Sequence, residues 1–305
     1  MVSLGPAIGI AVTGTTVGFL VARFFRARRQ RPLPAHGWFG MVALAGAEWL
    51  LFRGVPPVPT YFTPIAWSAY ILIADAAVFS LTGRSRLRDA PITVARMALL
   101  SIPLWLIFEA YNRRLHNWTY VDVPSEWLAA GLGYGWSFAT ITPAIFETSD
   151  LVEALLPLMP TEPRKIPRAI ENTVIACGAV ALLLPLILPQ HLAARCFFLV
   201  WIGFLLLLDP LNRRLALPSF LDDFSEGFVR RFWSFLLAGW ICGWLWEFWN
   251  YWAVAKWHYT FPMFQDLKIF EMPAPGYLGF LPFALECFTM YVTAAWLIGW
   301  IKGVK

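Results

Sequence analysis

Nine apolar runs, each close to the length that crosses a bilayer, constrain this chain more than any motif does. They lie at 4–25, 37–53, 62–82, 90–111, 130–156, 169–188, 192–209, 232–254 and 276–300. About 20 apolar residues span the hydrocarbon core as an α-helix. Lipid offers the backbone no water, so such segments satisfy their own N–H and C=O groups by coiling into helices. Only 14% of the 305 residues are charged and 59% are hydrophobic, whereas a soluble domain is about 25% charged. The sequence therefore predicts an all-α, polytopic membrane bundle of about nine helices, forming one membrane domain over 1–305. The first run is rich in Gly and Thr, with no basic residue before it and no small-residue cleavage site. It reads as an uncleaved helix.

Lys and Arg set the expected orientation. With the N-terminus outside and the C-terminus cytoplasmic, 17 of the 24 basic residues fall on the inner side, at Arg23–Arg31, Arg84–Arg88, Arg164–Arg168, Arg213–Arg231, Lys302 and Lys305. Five (Arg53, Arg113, Arg114, Lys256 and Lys268) fall outside. This asymmetry is the positive-inside pattern of a multi-pass protein of the cell (inner) membrane. The net charge of +5 then reflects topology and contact with anionic lipid, and no nucleic-acid partner is expected. Cys177, Cys196, Cys242 and Cys287 lie in apolar sequence without metal-ligand or disulfide spacing. They read as small buried hydrophobes.

An internal duplication organises the runs. Glu109 and Asn112 recur as Glu247 and Asn250, and Trp118-Thr119-Tyr120 recurs as Trp257-His258-Tyr259. Pro143 with Glu147 recurs as Pro282 with Glu286, and Trp67 to Asp75 aligns with Trp201 to Asp209. The predicted organisation is an N-terminal helix (1–32) followed by two parallel four-helix repeats (33–160 and 161–305). An even number of crossings per unit leaves both copies running the same way. Asp75 and Asp209, with Arg96 and Arg230, are expected to close each unit as structural ion pairs. Gly5-x-x-x-Gly9 has the spacing of a helix–helix contact.

The doubled polar residues are the candidate site. An acid at the centre of a bilayer helix costs on the order of 2.5–3.5 kcal/mol on insertion scales, so Glu109, Glu247, Glu147 and Glu286 must face the protein interior. Held neutral there, such acids could donate a proton; the structural alternative is that they join helices by hydrogen bonds. The i,i+3 spacing puts Asn112 and Asn250 on the face of their glutamates, as orienting residues. Pro143 and Pro282 are expected to kink their helices beside Glu147 and Glu286. Trp240, Trp244, Glu247 and Tyr251 form one stripe. Together with Trp118, Tyr120, Trp257, His258 and Tyr259 it would wall a pocket for an apolar ligand. The four histidines have no haem-ligating arrangement, and no phosphate-cradling loop or nucleophile set occurs. No metal or cofactor is expected.

The order of an acid near a helix end, then Trp-x-Tyr, then Pro and Glu in the next helix resembles the small membrane lycopene cyclases and related carotenoid-modifying proteins. The resemblance covers about residues 100–150 and 240–290. It implies duplicated units and acid-initiated, non-redox chemistry on a polyene. That family typically shows a Pro-x-Glu-Glu/Asp motif; here each Glu lies four residues after its Pro and precedes Thr148 or Cys287, so the acid pair is absent from both copies. Glu247 to Trp252 (Glu-Phe-Trp-Asn-Tyr-Trp), with Gly276 to Phe280 and Ala284 to Cys287, also resembles segments of a family of bacterial polytopic membrane proteins. The expectation is a protein that binds or processes an isoprenoid or other apolar lipid. In it Glu109 and Glu247 donate protons and Glu147 and Glu286 stabilise charge. An accessory subunit binding lipid or pigment beside protein partners in the membrane, and a transporter or proton path, are the alternatives.

Overall fold

The computed structural model describes residues 4–157 and 160–301; Lys302 and Lys305 lie outside the described residues. The helices are α1 (Leu4–Arg26), α2 (Ala35–Phe52), α3 (Phe62–Thr82), α4 (Arg86–Asp89), α5 (Pro91–Leu115), α6 (Trp127–Leu155), α7 (Arg168–Ile187), α8 (Gln190–Ala193), α9 (Phe197–Arg214), α10 (Phe220–Glu226), α11 (Arg230–Trp252) and α12 (Phe280–Leu297). Four short strands join them: β1 (Trp118–Val121), β2 (Lys256–Tyr259), β3 (Lys268–Ile269) and β4 (Met272–Pro273).

A long helix occupies each of the nine apolar runs. Five segments (α1, α3, α5, α7 and Ala274–Leu297, which contains α12) are long and apolar enough to cross a membrane. Large apolar side chains face outward, among them Val42 on α2 and Ile187 on α7, 72% and 75% exposed. Such a surface is compatible with a membrane protein.

Several boundaries differ from expectation, each for a local reason. Gln190–Ala193 coil into the separate turn α8 after Pro189, so α9 begins at Phe197 and not at 192. Residues 274–279 wind as a 3-10 helix, so α12 starts at Phe280. Pro282 therefore sits in the first turn of α12, where a missing N–H breaks no helical bond, and it does not kink the helix beside Glu286. Pro143 does lie inside α6. Next to it, Ser101 Oγ donates to Phe138 O at 2.5 Å and accepts from Thr142 N at 3.0 Å, so a side chain of α5 takes part in the α6 ladder.

α6, α11 and α12 pack around the centre with α3 beside them, while α2 lies on α3 and α7 on α9. Trp67 of α3 wedges between Trp246 and Trp249 of α11, with ring centroids 5.0 and 4.9 Å away. At Gly178 of α7 an added Cβ would come within 2.4 Å of the Leu207 backbone nitrogen, and this absence of a side chain sets the α7–α9 spacing.

Asp75 and Asp209, which align in the sequence, both accept backbone N–H groups. Asp75 accepts Leu87 N at 2.8 Å, and Asp209 accepts Phe220 N and Leu221 N at 2.7 and 2.9 Å. Each aspartate thus caps the start of a short helix, α4 or α10, where backbone N–H groups lack intrahelical partners. The expected Asp–Arg pairs do not form. Asp75 instead meets His36 of α2 at 2.9 Å, Arg96 stacks on Trp300 and Arg230 faces Glu153 at 3.9 Å. Gly5 and Gly9 also depart from expectation. Cβ atoms there would strike Lys268 O and the Phe270 ring, so these two glycines seat the β3 turn, while α1 also packs along α11. Of the cysteines, Cys242 and Cys287 are buried, whereas Cys177 is exposed on the outside of α7 and Cys196 is half-buried at the start of α9.

Candidate functional site

The Trp-x-Tyr segments meet. β1 and β2 pair antiparallel with Trp118 opposite Tyr259, Thr119 opposite His258 and Tyr120 opposite Trp257. Each Trp of one strand faces the Tyr of the other, so a local twofold axis passes between Thr119 and His258. Alternation along a strand puts Trp118, Tyr120, Trp257 and Tyr259 on one face, and all four line a single cavity. Thr119 lies exposed on the other face, where His258 approaches Glu271 at 3.3 Å.

A two-stranded ribbon alone is marginally stable; here two asparagines fasten it to the helices. Asn112 Nδ2 donates to Trp118 O at 2.9 Å, and its Oδ1 accepts from Asn117 N and Trp118 N at 2.8 and 3.1 Å. Asn250 repeats this with Trp257 O and Trp257 N, at 2.9 and 3.0 Å. The i,i+3 spacing does put each Asn near its Glu, but the amide spends its bonds on the strand. Any orienting effect on Glu109 or Glu247 passes through the Trp and Tyr that the strand carries.

Those side chains point at the acids. Glu109 Oε1 accepts from Tyr120 Oη at 2.6 Å, Trp105 Nε1 at 2.9 Å and Trp118 Nε1 at 3.1 Å. Glu247 Oε1 accepts from Tyr259 Oη at 2.9 Å, and Trp257 Nε1 donates to that same hydroxyl at 2.9 Å. Burial first, and the neighbouring glutamate second, hold the Tyr120 and Tyr259 phenols well above their ordinary range, so both remain hydrogen-bond donors. The two sets are unequal. Four residues before Glu109 stands the donor Trp105; four before Glu247 stands Gly243, where a Cβ would meet the Phe280 ring at 2.4 Å. Glu247 is fully buried with Oε2 unpartnered, whereas Glu109 is half-buried.

The cavity lies under the ribbon and encloses about 1090 Å³, counting its open mouth. Its walls are mostly aromatic and apolar, with Trp67, Trp201, Tyr134, Phe138 and Phe283 beside the four ribbon residues. Among the described residues that line it, Lys256 is the one charged side chain, and Glu271 lies 3.7 Å from its ammonium. Trp244 and His258 do not line it: Trp244 stacks on Tyr277 at 3.9 Å. Trp105, Tyr134, Phe138 and Phe283 were not foreseen. Trp105 carried a readable signal, four residues before Glu109 on one helix face; the others had none beyond being aromatic.

Glu147 and Glu286 stand away from the cavity wall, both fully buried, and their environments differ. Glu286 Oε1 accepts the Phe204 backbone N–H at 2.8 Å, a bond from α12 into the middle of α9. Both oxygens of Glu147 lack a partner, while nearby Asp150 is held by Arg86 at 2.6 and 2.8 Å. The four acids are therefore not one cluster. Among the described residues no group of three or more His, Cys, Asp or Glu could hold a metal ion. Compared with protein-family models, curated proteins and solved structures, the chain matches none.

Proposed function

We propose that the protein is a multi-pass protein of the cell (inner) membrane that binds an apolar, isoprenoid- or carotenoid-like lipid and acts on it by non-redox acid chemistry. The observation that carries this reading is the position of Tyr120, whose ring lines the aromatic cavity while its hydroxyl donates to Glu109. In the acid step the Tyr120 hydroxyl turns from its observed direction, gives its proton to the ligand and takes the proton that a protonated Glu109 carries. Large aromatic faces suit an unsaturated chain and stabilise developing positive charge.

In this reading the nine long helices all cross the membrane, as an N-terminal helix and two parallel four-helix repeats, with the N-terminus outside. The parallel relation is supported by the ribbon. Strands at equivalent places in the two copies can pair only at the same end of the bundle, and inverted copies would put them at opposite ends.

The test is the lipid content of the purified protein. Protein taken from its native membrane should carry an apolar isoprenoid-type lipid, identified by mass spectrometry of the extract. A Ser137→Phe variant, which fills the cavity from α6, should carry far less. An empty wild type, or equal loading of the two proteins, overturns the reading.

A further inference from the structure

A second void lies beneath the cavity. It is much smaller, about 230 Å³ of non-atom space counting its open side, and is lined by Ser101 and Leu104 of α5, Thr142 of α6, and Cys287 and Met290 of α12. Trp105, Ile141 and Phe283 line both voids. These three side chains are thus a partition between an upper chamber under the ribbon and a lower one deeper in the bundle. The order of residues agrees on the helices that run inward: Phe280 and Phe283 above, Cys287 and Met290 below on α12; Tyr134 and Phe138 above, Thr142 below on α6. From Phe280 to Met290 is ten residues, about 15 Å at 1.5 Å per residue.

The polar groups are distributed unevenly along this path. The upper chamber has Lys256 and the side chains of Thr60, Tyr61 and Tyr120. Below the partition the hydroxyl of Ser101 is engaged with backbone groups of α6; Thr142 adds one hydroxyl, and Leu104, Phe108, Cys287 and Met290 make the rest of the lining apolar. The partition is also held from above, because the Trp105 indole donates to Glu109 and its ring meets Phe283 edge-on at 5.9 Å.

From this geometry, and resting on the lipid-binding reading above, we infer that the ligand is an elongated single chain that enters tail first. Its polar end stays beneath the ribbon and its apolar end reaches the partition, so that Trp105, Ile141 and Phe283 set the longest chain accepted. Removing bulk there joins the two voids into one deeper slot. Filling the lower void leaves the limit at the partition.

The experiment uses full-length protein in detergent or nanodiscs, with cis-parinaric acid as the probe, read by energy transfer from the protein's tryptophans. Linear prenyl alcohols of increasing length, farnesol, geranylgeraniol and longer homologues, compete for it. With wild-type protein the affinity should rise with length and then fall at a limit. Phe283→Ala and, separately, Ile141→Ala should move that limit to a longer chain, with at least a tenfold gain for the first homologue beyond it, since each further methylene buried adds several-fold. Phe283→Ala combined with Cys287→Phe should return the limit to its wild-type place. Ile141→Ala keeps the test open should Phe283→Ala fail to fold. Probe binding with the same limit in all folded variants overturns the partition and spares lipid binding. No probe binding by wild type overturns both.

Discussion

Tyr120 stands between Glu109 and the cavity: its hydroxyl donates to Glu109 Oε1 at 2.6 Å while its ring forms part of the wall. If acid chemistry occurs, this contact carries the proton. Glu109→Gln keeps shape and hydrogen-bonding capacity but removes the ionisable proton, and should lower turnover by about 10² or more, the usual scale for a lost general acid. Tyr120→Phe should do the same while leaving lipid loading near wild type. The comparison with Glu247→Gln is informative, because the sequence favours the second copy through its denser aromatic stripe and the cavity wall favours the first through Trp105. Turnover unchanged in a folded Glu109→Gln/Glu247→Gln double variant removes the catalytic reading and leaves a binding protein.

What was legible in the sequence was what depends on spacing along one helix or strand. The nine long helices follow from apolar length, and the Glu–Asn pairs share a face by i,i+3 spacing. The ribbon was not legible, because its register joins residues about 140 apart and neither strand is long enough to signal itself. The roles of Asp75 and Asp209 were misread for a related reason. The partners they share are backbone N–H groups of α4 and α10, which carry no residue identity, and the side chain that Asp75 does meet is His36. The unequal environments of Glu147 and Glu286 were hidden by the sequence itself, in which each Glu follows a Pro by four residues and the two positions look alike.

That inequality makes a prediction on stability. Glu286 accepts from a backbone N–H in the interior of α9, so Glu286→Leu removes an interhelical hydrogen bond and should destabilise by about 0.5–1.5 kcal/mol. Glu286→Gln, which still accepts the bond, should lie close to wild type. Glu147 has no partner on either oxygen, so Glu147→Leu removes a buried polar group without orphaning another and should be neutral or stabilising. Thermal unfolding of the three variants in detergent gives the order. A Glu147→Leu variant less stable than Glu286→Leu contradicts it, and loss of function in a stable Glu147→Leu variant would mark Glu147 as a working acid.

The proposed topology makes a demand on surface chemistry. Single cysteines at Ser125 and Asp266, both exposed at the ribbon end, should react with an impermeant thiol reagent added outside intact cells, in a background where native cysteines are replaced. One at Arg84, exposed at the other end of α3, should react only after permeabilisation. Ser85 is a poorer reporter, being buried at the start of α4. Outside labelling at position 84 with silence at 125 and 266 reverses the orientation.

The connection between α9 and α11 is predicted to respond to pH. Asp223 of α10 is moved from an ordinary value of 3.8 to about 6, chiefly by burial; Arg231 opposes the shift, and Asp222, Glu226 and Glu153 reinforce it. The Arg231 guanidinium lies 3.3 Å from it, which moderates the cost of the charge without abolishing it. Between these two pH values the folded protein holds a proton that the unfolded chain has released. The contribution of Asp223 to stability is therefore fully present below 3.8 and is lost as pH rises through about 6. Asp223→Asn holds the position neutral at every pH. Its stability relative to wild type should increase steadily as pH goes from about 4 to 7 and level off above that, measured by denaturation of both proteins in the same detergent. A difference that stays constant across this range, or that shrinks as pH rises, would show that the salt bridge to Arg231 outweighs burial at this carboxyl.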